Sequence, residues 1–145
     1  QLASRARRRV QEAHVVPDAD LSRQREVVDA FLAAARGGDF DALVAVLDPD
    51  VVLRADGGAV SPGASRVVRG AQAVARGALA FSRGAAPGLI VQRALVNGAA
   101  GIVSWLPDGR PFSILAFMVV RGRIIEIDVL TDPERLRRLN LAPAP

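Results

Sequence analysis

The chain has 145 residues and no cysteine, which excludes disulfide bonds and thiolate metal sites and is compatible with a cytoplasmic protein. Half of its residues are hydrophobic, so length and composition predict one globular domain and exclude a disordered chain. The net charge is +4 and lysine is absent, a total preference for arginine that indicates coding composition more than a nucleic-acid partner. No apolar run approaches the roughly 20 residues of a membrane-spanning helix, so we expect no membrane contact.

An arginine-rich helix is predicted at the start of the sequence, in "QLASRARRRV". Apolar residues recur at helical spacing from Leu2 through this stretch and on to Ala13. Pro17 ends this helix because proline cannot continue it and pushes the preceding residue toward extended backbone. We therefore predict a separate helix over 1–16, a linker over 17–21 and one domain over 22–145.

The first part of the predicted domain is mainly helical. Asp20 or Ser22 is expected to cap a helix with one apolar stripe, which the pair Gly37-Gly38 stops. A short helix capped by Asp39 follows, and Pro49 is expected to end it. The sequence "DVVLRA" then predicts a strand, "DGGAVSPGAS" a loop and "RGAQAVARGALAFSRG" a third helix.

The second part of the domain predicts four strands: "LIVQRALV", "AGIVSWL", "PFSILAFMVV" and "RIIEIDVL". They are separated by Asn97-Gly98, Asp108-Gly109 and Arg121-Gly122, which favour two-residue hairpin turns. The strands therefore predict an antiparallel meander, which "DPERLRRL" closes with a helical turn. Helices followed by a meander indicate an α+β fold in which the helices cover one face of the sheet.

The order of two helices, a strand, a helix and four long strands resembles the cone-shaped fold shared by nuclear transport factor 2 and the SnoaL-like proteins. That resemblance implies three helices against a curved and mostly antiparallel sheet, with the arginine-rich helix preceding it as a separate element. SnoaL-like proteins are often small enzymes, such as polyketide cyclases, that keep an acid or a base inside the cone.

Two-residue turns set the register of the predicted meander. They pair Gln92 with Val103, Trp105 with Phe112, Met118 with Ile125 and Ile114 with Val129. One face is then apolar and is expected to pack on the helices; it carries Ile90, Gln92, Ala94, Val103, Trp105, Phe112, Ile114, Ala116, Met118, Ile125, Ile127 and Val129. The other face is half-polar, with Arg93, Ser104, Ser113, Glu126 and Asp128 beside Leu115, Phe117, Val119 and Ile124.

Catalytic groups are missing from the predicted apolar face. It offers no carboxylate, histidine or tyrosine as a general acid or base, and His14 lies outside the domain. We therefore predict that the chain is not an enzyme, with no catalytic residue. The alternative is a bulge that slips the last strand by one residue and turns Asp128 inward, where a buried carboxylate would act as the base of an isomerase or cyclase.

A small-molecule pocket is a second possibility on the same face. Gln92, Trp105 and Phe112 are its candidate residues; the alternative is that Trp105 belongs to the core and Gln92 bonds to nearby backbone. The sequence contains no phosphate-binding loop, zinc-ligand spacing or nucleophile elbow. We therefore expect no metal and no cofactor.

Three motifs carry a second resemblance. "SRARR" is similar to the end of the recognition helix in the last helix-turn-helix of extracytoplasmic-function sigma factors, one group of which carries a fused SnoaL-like domain. That group has a "DGGGK"-like loop after the first strand and an "NPDKL"-like motif at the end of the sheet. The present chain has "ADGGAV" from Ala55 to Val60 and "TDPERL" from Thr131 to Leu136. Ala59 and Val60 replace the third glycine and the lysine of the first motif.

The sigma-factor resemblance implies a regulatory C-terminal domain that modulates promoter-dependent transcription initiation. It acts either by holding the sigma core regions of the same chain in a closed arrangement or by supporting contact with RNA polymerase core. The resemblance also implies that the full-length protein binds promoter DNA. The candidate DNA-binding residues in this chain are Arg5, Arg7, Arg8 and Arg9. The expected regulatory interface comprises Asp56, Gly57, Gly58, Asp132, Pro133, Glu134, Arg135 and Leu136.

Several alternatives to this interface remain at the level of the sequence. The half-polar sheet face, with Arg93, Leu115, Phe117, Glu126 and Asp128, is expected either to dock as well or to form a homodimer. A SnoaL-like enzyme that uses Asp128 and a ligand-sensing module built around Trp105 are the competing functions.

Overall fold

The computed structural model describes residues 20–58, 65–85, 87–96 and 98–139. The predicted first helix and its four arginines lie outside the described residues, as does most of the predicted linker. Within the described part of the chain, no helix is both long and apolar enough to cross a membrane.

The described part of the chain has three helices ahead of its long meander: α1 (Leu21–Gly37), α2 (Phe40–Val46) and α3 (Ala71–Gly84). Of the two candidate caps for α1, Asp20 fills the role, because its Oδ1 accepts a hydrogen bond of 2.9 Å from the Ser22 N–H. Gly38 adopts left-handed backbone (φ 69°) and ends α1, as predicted. Asp39 caps α2 by accepting from the Ala42 N–H at 3.0 Å.

Among the residues that the structure describes, six strands form one sheet: β1 (Leu47–Asp56), β2 (Arg66–Arg69), β3 (Ile90–Val96), β4 (Ala99–Trp105), β5 (Pro111–Val120) and β6 (Arg123–Leu130). Their spatial order is β2-β1-β6-β5-β4-β3, and a short helix α4 (Pro133–Arg138) follows the last strand. The predicted meander β3 to β6 is confirmed. The strand β2 was not predicted, because four residues at a sheet edge give too short a pattern.

The first strand differs from its prediction in its start and in its partners. It begins at Leu47, directly after α2, so Pro49 lies inside the strand and does not end the helix. The register with β6 shifts between Leu47 and Val52, and this irregular segment accommodates a proline that cannot donate a ladder hydrogen bond. Beyond it, β1 pairs in parallel with β6 and antiparallel with β2.

Two β-bulges change the predicted register of the meander. Gln92 pairs with Val103 as predicted, but Trp105 pairs with Pro111 because Phe112 is an extra residue in β5. Met118 pairs with Glu126 and Ile114 with Leu130, because Ile125 is an extra residue in β6. The predicted pairings of Trp105, Met118 and Ile114 are therefore wrong by one residue.

The predicted assignment of the two sheet faces is also wrong. The helices pack on the face that carries Leu115, Phe117 and Ile127, and the rings of Phe31 and Phe117 meet edge to face at 5.4 Å. The opposite face carries a smaller cluster, which α4 covers through Leu136; its buried members are Val103, Trp105, Ile114, Leu130 and Leu136. Because β5 is apolar at nearly every position, either of its faces is able to form the main core.

Candidate functional site

The two motif loops meet at one place, which we term the β1–β6 junction (56–58 and 131–136). β1 and β6 run in parallel and end together, with Asp56 opposite Leu130. The Thr131 N–H donates a 2.9 Å hydrogen bond to the carbonyl of Asp56, so the loops that follow the two strands lie side by side. The structure therefore brings the two predicted motifs into direct contact.

Charged side chains hold the junction together. A carboxylate oxygen of Asp56 accepts from the guanidinium of Arg135, and both side chains are about one-third exposed. The other oxygen of Asp56 accepts from the Gly58 N–H at 3.0 Å, which shapes the loop after β1. Asp132 caps α4 by accepting from the Glu134 N–H at 3.1 Å. Asp56 thus links its own loop to α4.

Gly58 occupies the tightest position of the junction. Its φ of +75° lies in the left-handed region, which side-chain-bearing residues rarely adopt. A Cβ atom at this position would lie 2.4 Å from Cγ of Asp132 and 2.6 Å from one of its carboxylate oxygens. Glycine is therefore required both for the backbone conformation and for the close approach of the capping carboxylate.

Gly58→Ala is expected to destabilise the domain more than Gly38→Ala, which has nearly the same left-handed backbone but open space around the added methyl group. Both substitutions cost about 1–2 kcal/mol through the backbone. Gly58→Ala also forces the Asp132 carboxylate away from the Glu134 N–H, which adds about 0.5–2 kcal/mol for the lost cap. Urea unfolding of the two variants measures the difference, and equal costs would show that the carboxylate moves freely.

The predicted interface residues differ in accessibility. Pro133 and Glu134 are exposed, and Asp56, Gly58 and Arg135 are half-buried. Gly57, Asp132 and Leu136 are buried. Leu136 is only 1% exposed, so it belongs to the core and holds α4 on the sheet instead of forming an external contact surface.

A buried ion pair lies on the sheet face away from the helices. The guanidinium of Arg54 in β1 contacts the carboxylate of Glu126 in β6, and both side chains are largely buried. Asp128 stands opposite Arg54 in the parallel pairing and is 1% exposed. The bulge at Ile125 places both carboxylates on this face.

A mostly apolar cavity lies between the helices and the other face of the sheet. It has a volume of about 360 Å³ and is lined mostly by apolar side chains, among them Phe31, Leu115 and Ile127. The buried hydroxyl groups of Ser104 and Ser113 also line it and form a hydrogen bond with each other. No acidic side chain and no histidine is found among its described lining residues. Asp128 therefore does not line this cavity, even though a bulge in the last strand, the alternative considered from the sequence, does occur.

No metal site is present among residues 20–58, 65–85, 87–96 and 98–139, because no three His, Cys, Asp or Glu side chains lie close enough together.

One carboxyl group with a shifted pKa lies away from the junction, in the loop between β4 and β5. A backbone and a side-chain hydrogen bond from Arg110 lower the pKa of Asp108 below its ordinary value.

Comparison with known proteins identifies the relatives of this chain. No family model matches it. It is 43% identical over 145 residues to the ECF RNA polymerase sigma factor SigJ of Mycobacterium tuberculosis, covering 93% of this chain and 46% of SigJ. It is 30% identical over 138 residues to the probable ECF sigma factor SigI of the same organism, covering 94% of this chain and 44% of SigI. The chain is a homologue of the ECF sigma factors.

Solved structures support this homology and define the fold. The crystal structure of SigJ superposes with a TM-score of 0.64 at 34% identity, covering 93% of this chain and 48% of SigJ. An NTF2-like protein of unknown function from Mesorhizobium loti superposes with a TM-score of 0.57 at 19% identity, over 81% of this chain and 98% of that protein. This sigma-factor homologue therefore has the predicted NTF2-like fold, and it spans less than half the length of the curated relatives it matches.

The predicted pocket residues of the sigma-factor homologue occupy two different places. Trp105 donates from Nε1 to Oε1 of Gln92 at 2.8 Å, on the side of the sheet away from the cavity. Gln92 also lines a groove of about 470 Å³ between α1 and β3. Phe112 stacks on Phe81, with ring centroids 6.1 Å apart, and Phe81 lines the cavity. The structure thus brings Gln92 and Trp105 together and leaves Phe112 apart from them.

The predicted half-polar face does not exist as one surface. Leu115 and Phe117 pack under the helices, whereas Glu126 and Asp128 are buried on the opposite side. The expectation that this face docks a partner or forms a homodimer is therefore wrong as stated, because its members point in two directions. Sequence reasoning missed Arg54 as the partner of Glu126, since nothing in the local pattern indicates that β1 pairs with β6.

Proposed function

We propose that this chain is the regulatory C-terminal part of an ECF sigma factor, which modulates promoter-dependent transcription initiation. The supporting observation is the β1–β6 junction, where two motifs far apart in the sequence form one structural unit in a homologue of SigJ. Pro133 and Glu134 are the exposed residues of that unit, and together with the half-buried Arg135 they form the proposed contact surface.

The proposed partners are the sigma core regions of the same chain and RNA polymerase core. In this proposal residues 1–16 are the end of the DNA-binding helix, 17–21 a linker and 22–145 the regulatory domain, acting in the cytoplasm. Promoter DNA is contacted by the full-length protein, through Arg5, Arg7, Arg8 and Arg9 at this end of the chain. A short linker keeps the domain at high effective concentration near the sigma core.

A non-catalytic role is part of the proposal. The cavity of about 360 Å³ has no acidic or histidine side chain among its described lining residues, so it lacks the general acid or base that an isomerase or cyclase requires. The buried carboxylates of Glu126 and Asp128 lie on the other face of the sheet. This arrangement supports regulation over catalysis.

Promoter-directed transcription with purified RNA polymerase core tests the proposal. The parent protein is compared with versions that end before Asp18 and before Asp132, and with the point variant Glu134→Arg. Glu134 is 61% exposed, and its ion pair with Arg138 at 3.6 Å on the same helix is exposed as well. Charge reversal at Glu134 therefore costs only about 0.2–1 kcal/mol of stability while it changes the proposed contact surface. We expect transcript yield to change at least about threefold with Glu134→Arg, because reversing a charge within a contact alters its electrostatic complementarity with the partner.

Glu26→Arg is the matched control, because Glu26 is exposed on α1 and undergoes the same change of charge. Transcript yield should be unchanged in this variant. Equal yields from the parent, both truncations and Glu134→Arg would overturn the regulatory function.

A further inference from the structure

The inner end of the mostly apolar cavity under the helices has unused hydrogen-bonding capacity. Ser104 and Ser113 face each other on neighbouring strands, and both are buried. Their two hydroxyl groups have two hydrogens, and the bond between them uses only one. The pair therefore retains one donor and free lone pairs beside an apolar cavity, where a ligand oxygen would satisfy them.

Positively charged and aromatic residues mark the outer part of the same cavity. Arg36 from the last turn of α1 and Arg66 from β2 both line it and are both exposed. Neither forms an ion pair with any residue in the described part of the chain. Phe81 also lines the cavity and is 51% exposed. The opening therefore favours an anionic group and the interior favours hydrocarbon.

We propose that this cavity binds an apolar carboxylate that carries a second oxygen at its far end, such as an ω-hydroxy acid. The carboxylate lies near Arg36 and Arg66, the hydrocarbon fills the apolar middle, and the far oxygen bonds to Ser104 and Ser113. The volume of about 360 Å³ lies within the range of small-molecule sites. The ligand is held and not converted, because the described lining offers no general acid or base.

The cavity also reaches the β1–β6 junction. Thr131 lines the cavity, and its N–H bonds to the carbonyl of Asp56. Asp132, the cap of α4, follows it directly. A bound ligand therefore contacts a residue that connects β6 to both motif loops, which gives the site a route to the proposed contact surface.

Calorimetric titration of the 145-residue chain with ω-hydroxydecanoate, decanoate and decanol tests the proposal. We expect ω-hydroxydecanoate to bind more tightly than decanoate by about 3- to 10-fold, the contribution of one net hydrogen bond. The double variant Ser104→Ala/Ser113→Ala should lose that difference while binding decanoate as before. Arg36→Gln/Arg66→Gln should weaken both acids and leave decanol unchanged.

Gly77 offers a direct way to block the cavity. It lines the cavity from α3, and a Cβ atom added there has no neighbour within 4 Å. Gly77→Leu should fill the space and abolish binding of all three probes. Gly77→Ala is the matched control, because it makes the same improvement in helix propensity with one methyl group and should retain binding.

Two results would overturn the binding site: no heat of binding for any probe with the folded wild-type chain, or undiminished binding by Gly77→Leu. Equal affinities of wild type and the double serine variant for ω-hydroxydecanoate would overturn the role of the hydroxyl pair. The measurement uses no polymerase and no promoter, so its failure is distinguishable from failure of the proposed regulatory function.

Discussion

Arg54→Leu is expected to lower the free energy of unfolding by about 3–5 kcal/mol, the usual cost of removing one partner from a buried ion pair. The guanidinium of Arg54 contacts the carboxylate of Glu126, and their side chains are only 13% and 4% exposed. Asp128 is buried opposite Arg54 on the neighbouring strand. Without the guanidinium, two buried carboxylates remain two residues apart on one face of β6. Urea unfolding at neutral pH measures the loss.

Arg93→Leu is the matched control for this substitution. Arg93 pairs with Asp29 at 3.1 Å, but the two side chains are 62% and 46% exposed. An exposed pair contributes only about 0.2–1 kcal/mol, so this variant should stay close to wild type. If both substitutions lower the free energy of unfolding by the same amount, the Arg54–Glu126 pair is exposed to water in solution and not buried.

A second variant tests whether the loss of stability comes from an unpaired buried charge or from the altered shape of the site. Arg54→Leu/Glu126→Leu removes the guanidinium together with the carboxylate that it contacts, and it should recover part of the loss seen with Arg54→Leu. Apolar replacement of both members of a buried pair is often neutral or stabilising. A double variant that is less stable than Arg54→Leu would contradict the explanation from buried charge.

The local features of this fold were predictable because their causes are local. Asp20 and Asp39 are identifiable as helix caps from residue type and position. Gly109 and Gly122 adopt the positive φ that their hairpin turns require. In each case, the side chain of one residue, or its absence in glycine, meets the need of backbone only a few positions away.

The sheet register was not predictable, because neither bulge has a distinctive residue. Phe112 and Ile125 are ordinary strand residues, yet each is the extra residue in its ladder. The sequence of β5 is apolar at consecutive positions, so alternation does not say which of its faces meets the helices. For Asp128 two differences from the prediction cancel. The bulge turns its side chain to the opposite face of the sheet, and the helices also cover the face opposite to the predicted one. It lies outside the cavity as expected, but it is buried and not solvated.

The candidate site was predictable in its parts and not in its assembly. Asp132 and Pro133 are a recognisable helix start, and Gly58 a recognisable turn residue. Their contact depends on the parallel pairing of β1 with β6, which joins residues more than seventy positions apart. No local pattern contains that pairing, so the two motifs were predicted as separate loops. The same pairing places Arg54 against Glu126.

Leu136→Ala is the second substitution with a large expected effect, about 2–5 kcal/mol in the free energy of unfolding. Leu136 is the described residue of α4 that is buried in the cluster containing Trp105. Trp105 is the only tryptophan of the chain and is 4% exposed. Removal of the leucine side chain opens a cavity in the small cluster that contains the indole, so the tryptophan fluorescence should shift to longer wavelength even under native conditions.

Leu139→Ala is the matched control, because Leu139 follows α4 directly and is 50% exposed. It should change neither the stability nor the emission of Trp105 appreciably. A stability loss in Leu136→Ala without any change in emission would place α4 away from the indole. The expected result also affects the transcription experiment, because a parent protein that ends before Asp132 loses Leu136 and part of its core. Its phenotype then combines instability with a lost contact, whereas Glu134→Arg keeps the buried Leu136 and changes one exposed charge of the contact surface.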